Sequence, residues 1–187
     1  MPLFHLKAEI EGISPKIIRD VIVDSNISFY KLHHILQILF GWTNSHLYYF
    51  DVDEELIGNE DSDGSYLPAN KTKLKSLLYK GKSFEYLYDF GDNWIHKIKV
   101  VKVFPADKLG SPICVGGERN SPPEDIGGVP GYEDLLMALK DKENPNFKEL
   151  LEYHGNFDPE HFDMDYISKQ FYTFDKTVRQ MKRFEAK

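Results

Sequence analysis

From Phe4 onward the chain alternates, with Phe4, Leu6, Ala8 and Ile10 on one face and His5, Lys7, Glu9 and Glu11 on the other, the signature of a half-buried strand. Gly12, Ser14 and Pro15 turn it into a second β-rich run, IIRDVIV, closed by Asp24, Ser25 and Asn26. These two runs are expected to pair as a hairpin. The period then changes. Ser28 stands as N-cap before Leu32, Ile35, Leu36, Leu39 and Phe40, spaced three and four apart, and Gly41 ends the helix. His33 and His34 are expected on its solvated side. A strand, HLYYFDV, follows, and the order strand, strand, helix, strand predicts an α+β fold. Its expected architecture is a mixed or antiparallel sheet built from hairpins, with a packed N-terminal helix and a C-terminal group of short helices.

The stretch SFEYLYDFGDNWIHKIKVVKVF predicts a further hairpin. Phe84, Tyr86, Tyr88 and Phe90 alternate with polar positions on one arm, and Trp94, His96, Ile98 and Val100 do so on the other. Keeping both even-numbered sets on the buried face requires an odd loop. The shortest solution makes Gly91, Asp92 and Asn93 the turn, with Phe90 opposite Trp94 and Tyr88 opposite His96. Asp89 then points to the other face, beside Ile95.

Between these elements, Asp51 to Asn70 is acidic and Lys71 to Lys82 is lysine-rich, a solvated excursion with a short helical turn around Leu74 to Leu78. After Pro105, glycine and proline crowd the chain as far as Gly131, so the expectation there is irregular backbone. Ile113, Val115, Ile126 and Val129 can anchor the segment from Ser111 to Gly131, so it is expected to be ordered against the sheet. Helices are expected in YEDLLMALKD, in NPNFKELLEYHG, and in DPEHFDMDYISKQF behind an Asp158 cap and Pro159. One domain over 1–187 is expected, with a sheet-rich core at about 1–105, a Gly/Pro and helical part at about 106–175, and a basic tail at about 176–187.

Composition narrows the function. The 187 residues are 41% hydrophobic and 28% charged, with a net charge of −7. Both halves of the chain are acidic, so tight binding to duplex DNA is not expected, because such affinity rests on neutralising phosphates. No apolar run approaches the roughly 20 residues of a membrane span. The lone Cys114 cannot form an internal disulfide, and the N-terminus lacks a signal-peptide pattern. A cytoplasmic location without membrane association is expected.

The common phosphate-binding, zincin, hydrolase-elbow and thiol-redox motifs are absent. No catalytic residue, metal ligand or cofactor is assigned. NEDSDG imitates the opening of a calcium loop, but its last ligand position is Asn70. His46, His96, Asp89 and Asp92 are the best metal-type set, although the predicted register divides His96 from Asp89. Cys114 lies in ICVGGER, beside Arg119, which suits a carboxylate or phosphate, and Glu124 and Asp125 follow two prolines.

The strings WTNSHLYYF, YDFGDNWIHKI, CVGGERNSPPEDIGGVPGYEDLL and HGNFDPEHFD resemble the plasmid pRiA4b ORF-3-like family in its order and over nearly the whole chain. The resemblance implies an α+β protein of plasmids, mobile elements and chromosomes, and it carries no catalytic residue. With the residue chemistry, it makes Trp42, His46, Asp89, Asp92, Trp94, His96, Cys114, Arg119, Glu124 and Asp125 the candidate binding residues. The expected function is a non-enzymatic interaction domain for a protein or peptide partner. The alternatives are a nucleic-acid-associated accessory protein of a mobile element, or an enzyme with a metal or small-molecule site near His46 and His96.

Overall fold

The structure is a computed structural model that describes residues 2–59, 65–106, 109–141, 143, 155, 157–174, 176 and 178. Its strands are β1 (Pro2–Ile10), β2 (Ile18–Asp24), β3 (Tyr48–Val52), β4 (Glu55–Gly58), β5 (Leu67–Pro68), β6 (Ser83–Tyr88), β7 (Trp94–Pro105) and β8 (Ile113–Glu118). The helices are α1 (Phe29–Phe40), α2 (Leu74–Leu77), α3 (Gly128–Lys140) and α4 (Met164–Tyr172). The strands form one sheet in the order β5-β4-β3-β6-β7-β1-β2-β8, antiparallel except between β4 and β5. The fold is α+β, as the alternation predicts.

The expected faces hold. Phe4, Leu6, Ala8 and Ile10 are buried against α1, together with Phe50, Tyr86, Tyr88, Trp94 and Ile98. Ser28 caps α1 by accepting the Lys31 N–H, and Gly41 closes it in the left-handed region at φ 70°. Among the described residues no helix is long and apolar enough to cross a membrane.

Four expectations are corrected. Tyr88 pairs with Trp94 and Tyr86 with His96, so the β6–β7 loop has five residues rather than three. Phe90 lies in that loop, 51% exposed, and not opposite Trp94. Asp89 leaves the strand at φ 59°, where its Oδ1 accepts the N–H groups of Gly91 and Asp92. The two added loop residues preserve the odd count, and with it the faces.

Second, His33 and His34 are buried rather than solvated, because α1 packs against the sheet on one side and α4 on another. Third, the Gly/Pro segment is not irregular throughout: Ile113–Glu118 joins the sheet as an edge strand on β2, with a register shift between Asp20 and Val21. Of the segment's expected anchors, Ile126 and Val129 pack against the core, whereas Ile113 and Val115 face solvent and Cys114 is the strand residue that is buried. Fourth, the helices start elsewhere. α3 begins at Gly128, and α4 begins behind Asp163, whose Oδ1 accepts the Tyr166 N–H. Asp158 instead caps a turn through the Glu160 N–H. The expected helix at 144–154, the calcium-like positions 60–64 and the tail from 179 onward lie outside the described residues.

Candidate functional site

Three loops meet at one corner of the sheet: residues 41–47 after α1, residues 89–93 between β6 and β7, and residues 121–127 before α3. Each is fixed by local chemistry. The Asn44 N–H donates to Gln37 Oε1 on α1, and Trp42 Nε1 donates to the Pro122 carbonyl at 2.9 Å, joining the first loop to the third. The Gly127 N–H donates to Asp92 Oδ2 at 3.2 Å, joining the third to the second. Gly128 follows at φ 68°, and a side chain there would meet the Asp92 carbonyl. Asn44, Asp89, Asn93 and Asp125 all hold left-handed backbone. Backbone strain of this kind persists only where surrounding contacts over-determine it.

The corner is strongly carboxylate in character. His46 Nε2 is 3.3 Å from Asp125 Oδ1 and 3.6 Å from Asp89 Oδ2. One donor atom from each of these three residues lies within 4.8 Å of the others. The Asp89 side chain is 9% exposed; its Oδ1 is occupied by turn amides, while Oδ2 takes no hydrogen bond among the described residues and faces His46. His46 Nε2 is shielded from solvent and likewise makes no hydrogen bond among them.

Glu124 is engaged differently. Its Oε1 accepts the Tyr88 hydroxyl at 2.7 Å, and its Oε2 accepts the Thr43 N–H and hydroxyl at 3.0 and 2.6 Å. The Tyr88 oxygen in turn accepts the Ser45 N–H at 3.0 Å. Burial, and then the Glu124 carboxylate, raise the Tyr88 pKa, so the phenol remains a donor.

Below the corner lies an aromatic floor. Trp42 stacks between Phe40 and Tyr88, with ring centroids 5.3 and 5.0 Å away, and Trp94 lies 6.1 Å from it. His96 is fully buried in this floor, where Nδ1 donates toward the Trp94 and Tyr86 carbonyls. Burial lowers its pKa to about 4, so it is a neutral packing residue. His33 bonds the Tyr86 hydroxyl at 2.7 Å and also Asn44, while its ring stacks on Tyr48. It is held neutral in the same way, by burial first and by His34 second.

Of the residues singled out from sequence, the structure therefore brings His46, Asp89, Asp92, Glu124 and Asp125 together over Trp42 and Trp94. It does not bring Arg119 or Cys114 there. Arg119 binds Glu160 Oε1 at 2.8 Å and the Pro15 carbonyl, tying β8 to the chain before α4. Cys114 is buried on β8, and burial pushes its thiol up, the opposite of an activated nucleophile. Sequence reasoning missed Thr43, Ser45 and Tyr88 as the clasp around Glu124. Their signal is weak, because a hydroxyl beside an apolar run reads first as a turn or a strand residue.

The chain's similarity to known proteins covers this corner. The model of the plasmid pRiA4b ORF-3-like proteins matches residues 2–166. This chain belongs to that family. It is 40% identical over 159 residues to the uncharacterized protein y4hQ of Sinorhizobium fredii, covering 82% of this chain and 81% of that one. It also resembles the crystal structure of MM3350, a protein of unknown function from Methanosarcina mazei Go1, with a TM-score of 0.81 and 37% identity. That match covers 88% of this chain and 96% of the other. All three loops fall inside the region that the family model matches.

Proposed function

We propose that this family member is a binding domain that operates through a divalent cation held by His46 Nε2, Asp89 Oδ2 and Asp125 Oδ1. One observation carries this reading: three donor atoms from three separate loops converge within 4.8 Å, and the most buried of the carboxylates directs an unbonded oxygen at an unbonded imidazole nitrogen. A buried carboxylate oxygen that accepts no hydrogen bond, as Asp89 Oδ2 is, is costly unless it faces a cation or binds a metal. One imidazole with two carboxylates suits borderline first-row ions such as Zn²⁺ or Mn²⁺. Three protein ligands leave coordination positions open for water or for a donor atom from a partner. Glu124, with both oxygens occupied, positions the loop that carries Asp125. Asp92 does the same through Gly127.

The test is calorimetric titration of the chelator-treated protein with Zn²⁺ and with Mn²⁺, alongside Asp89→Asn and His46→Gln. The Asp89→Asn side chain keeps an oxygen for the turn amides, so the fold is retained. One ion per chain with micromolar or tighter affinity, weakened about 100-fold in each variant, is expected. Absence of stoichiometric binding, or binding indifferent to both substitutions, would leave His46 as an ordinary ion-pair partner and remove the proposal.

A further inference from the structure

The face of the sheet opposite α1 carries an aromatic group that is only partly buried. Tyr49 stands opposite Leu87 on β6, and Leu87 stands opposite Ile95 on β7. The Tyr66 ring stacks on Tyr49 at a centroid distance of 6.0 Å, and Phe90 meets Tyr49 edge-on at 5.8 Å. Phe90 is the one apolar residue of its strand pattern that the core forgoes, and the five-residue loop delivers it to solvent beside Tyr49.

One step along the same strands, Asp51 stands directly opposite Glu85. Like charges in that position destabilise a sheet. Lys97 stands across from Glu85 and offsets part of its charge, but its ammonium is bonded elsewhere. It turns its Nζ to Glu11 at 2.7 Å, and Lys82 is drawn to Asp53. Asp51 Oδ1 accepts the Glu54 N–H. These carboxylates lie close enough to Tyr49 to add to the burial that raises its pKa. A groove of about 560 Å³ continues from Asp51 and Glu85 along the face, acidic at the Asp51 end with Asp53 and Glu54 and carrying Lys7, Lys97 and Lys99 beyond Glu85.

We propose that this face docks a Lys- or Arg-bearing segment of a protein partner, its cation lying against the Tyr49, Tyr66 and Phe90 rings and between Asp51 and Glu85. A cation over an aromatic face is attracted by the ring quadrupole, and the Asp51 end of the carboxylate pair, with Asp53 and Glu54 beside it, supplies the complementary charge. The net charge of −7 steers a basic segment toward the protein as a whole. The proposal uses none of the three residues of the cation site, so it stands or falls independently of that site.

The probe is a fluorescein-labelled peptide of alternating arginine and glycine, titrated by anisotropy against the full chain at about 0.15 M salt. Its counterpart has glutamate in place of arginine. Binding of the arginine peptide alone is expected, weakened about tenfold or more by Phe90→Ala and by Asp51→Asn with Glu85→Gln, but unchanged by His46→Gln. Since Phe90 and Glu85 are exposed, neither substitution threatens the fold. Equal binding by these variants would overturn the proposal. So would tighter binding of a single-stranded oligonucleotide to the same rings.

Discussion

The Tyr88 hydroxyl donates to Glu124 Oε1 across 2.7 Å, tying the last residue of β6 to the loop that leads into α3. The same oxygen holds the Ser45 N–H, so a single phenol joins all three loops of the corner. Tyr88→Phe deletes both bonds while keeping the stacked ring. We expect a loss of about 1–3 kcal/mol in chemical denaturation. Weaker Zn²⁺ or Mn²⁺ binding is also expected, because Asp125 follows Glu124 directly. Unchanged stability would mean that water replaces the clasp without cost.

Gly128 tests how tightly the second and third loops are joined. A Cβ there would lie 2.5 Å from the Asp92 carbonyl oxygen, at φ 68°. Gly81 has a comparable φ of 88° and open space around it, so it isolates the backbone cost alone. Gly81→Ala should cost about 1 kcal/mol and Gly128→Ala at least about 2 kcal/mol, measured by urea denaturation. Equal losses would show that the loops yield.

His96 makes stability depend on pH. Its folded pKa is lowered to about 4 by burial, partly opposed by its carbonyl partners, with a smaller contribution from the positive charge of Arg19 in the lowering direction. The unfolded imidazole protonates near its ordinary value of 6.5. Between these values the unfolded chain binds more protons than the folded one. Stability is therefore complete above about pH 6.5 and falls as pH drops toward 4, by up to about 3 kcal/mol. The buried His33 adds to the same trend. His96→Asn, compared with the parent at about pH 7.5 and about pH 5, should show a shallower fall. An identical slope would refute this origin.

Arg19 is buried without a carboxylate partner among the described residues. Its guanidinium donates to the carbonyls of Leu39, Ile18 and Glu118 and to Ser121 Oγ, between the rings of Phe40 and Phe162. Burial lowers its pKa to about 10, which leaves it charged at neutral pH. Arg19→Met would orphan several acceptors and release the start of the 121–127 loop. A loss of at least about 3 kcal/mol is expected by thermal denaturation, together with weaker cation binding. A mild loss would show that the carbonyls find water.

The fold was legible wherever burial imposes a period. Phe4 to Ile10 and Tyr86, Tyr88, Trp94 and His96 fall on the face that their alternation predicts, because a one-residue slip would expose every large side chain. Parity, however, leaves loop length open by multiples of two. The choice between three and five residues falls to Asp89, whose carboxylate bonds two turn amides and whose backbone tolerates left-handed φ. Helical spacing misplaces His33 because it reports one buried face, whereas α1 is covered on more than one. The site was legible as a set of residue types, but its partnerships were not. His46, Asp89 and Asp125 come from distant segments, and only the sheet order decides that His46 meets Asp89 while His96 turns into the floor.

The same sheet order governs how the chain assembles. β1 pairs with β2, and β3 with β4, and in the sheet neither pair touches the other directly. The β6–β7 hairpin then inserts as a keystone, β6 against β3 and β7 against β1. Until residues 83–105 leave the ribosome, the facing edges of β1 and β3 lack their partners, the kind of surface on which wrong pairings and aggregates begin. Closing the keystone removes both edges at once. The same hairpin carries the loop that places Asp89 beside His46, so that contact depends on the two half-sheets being joined.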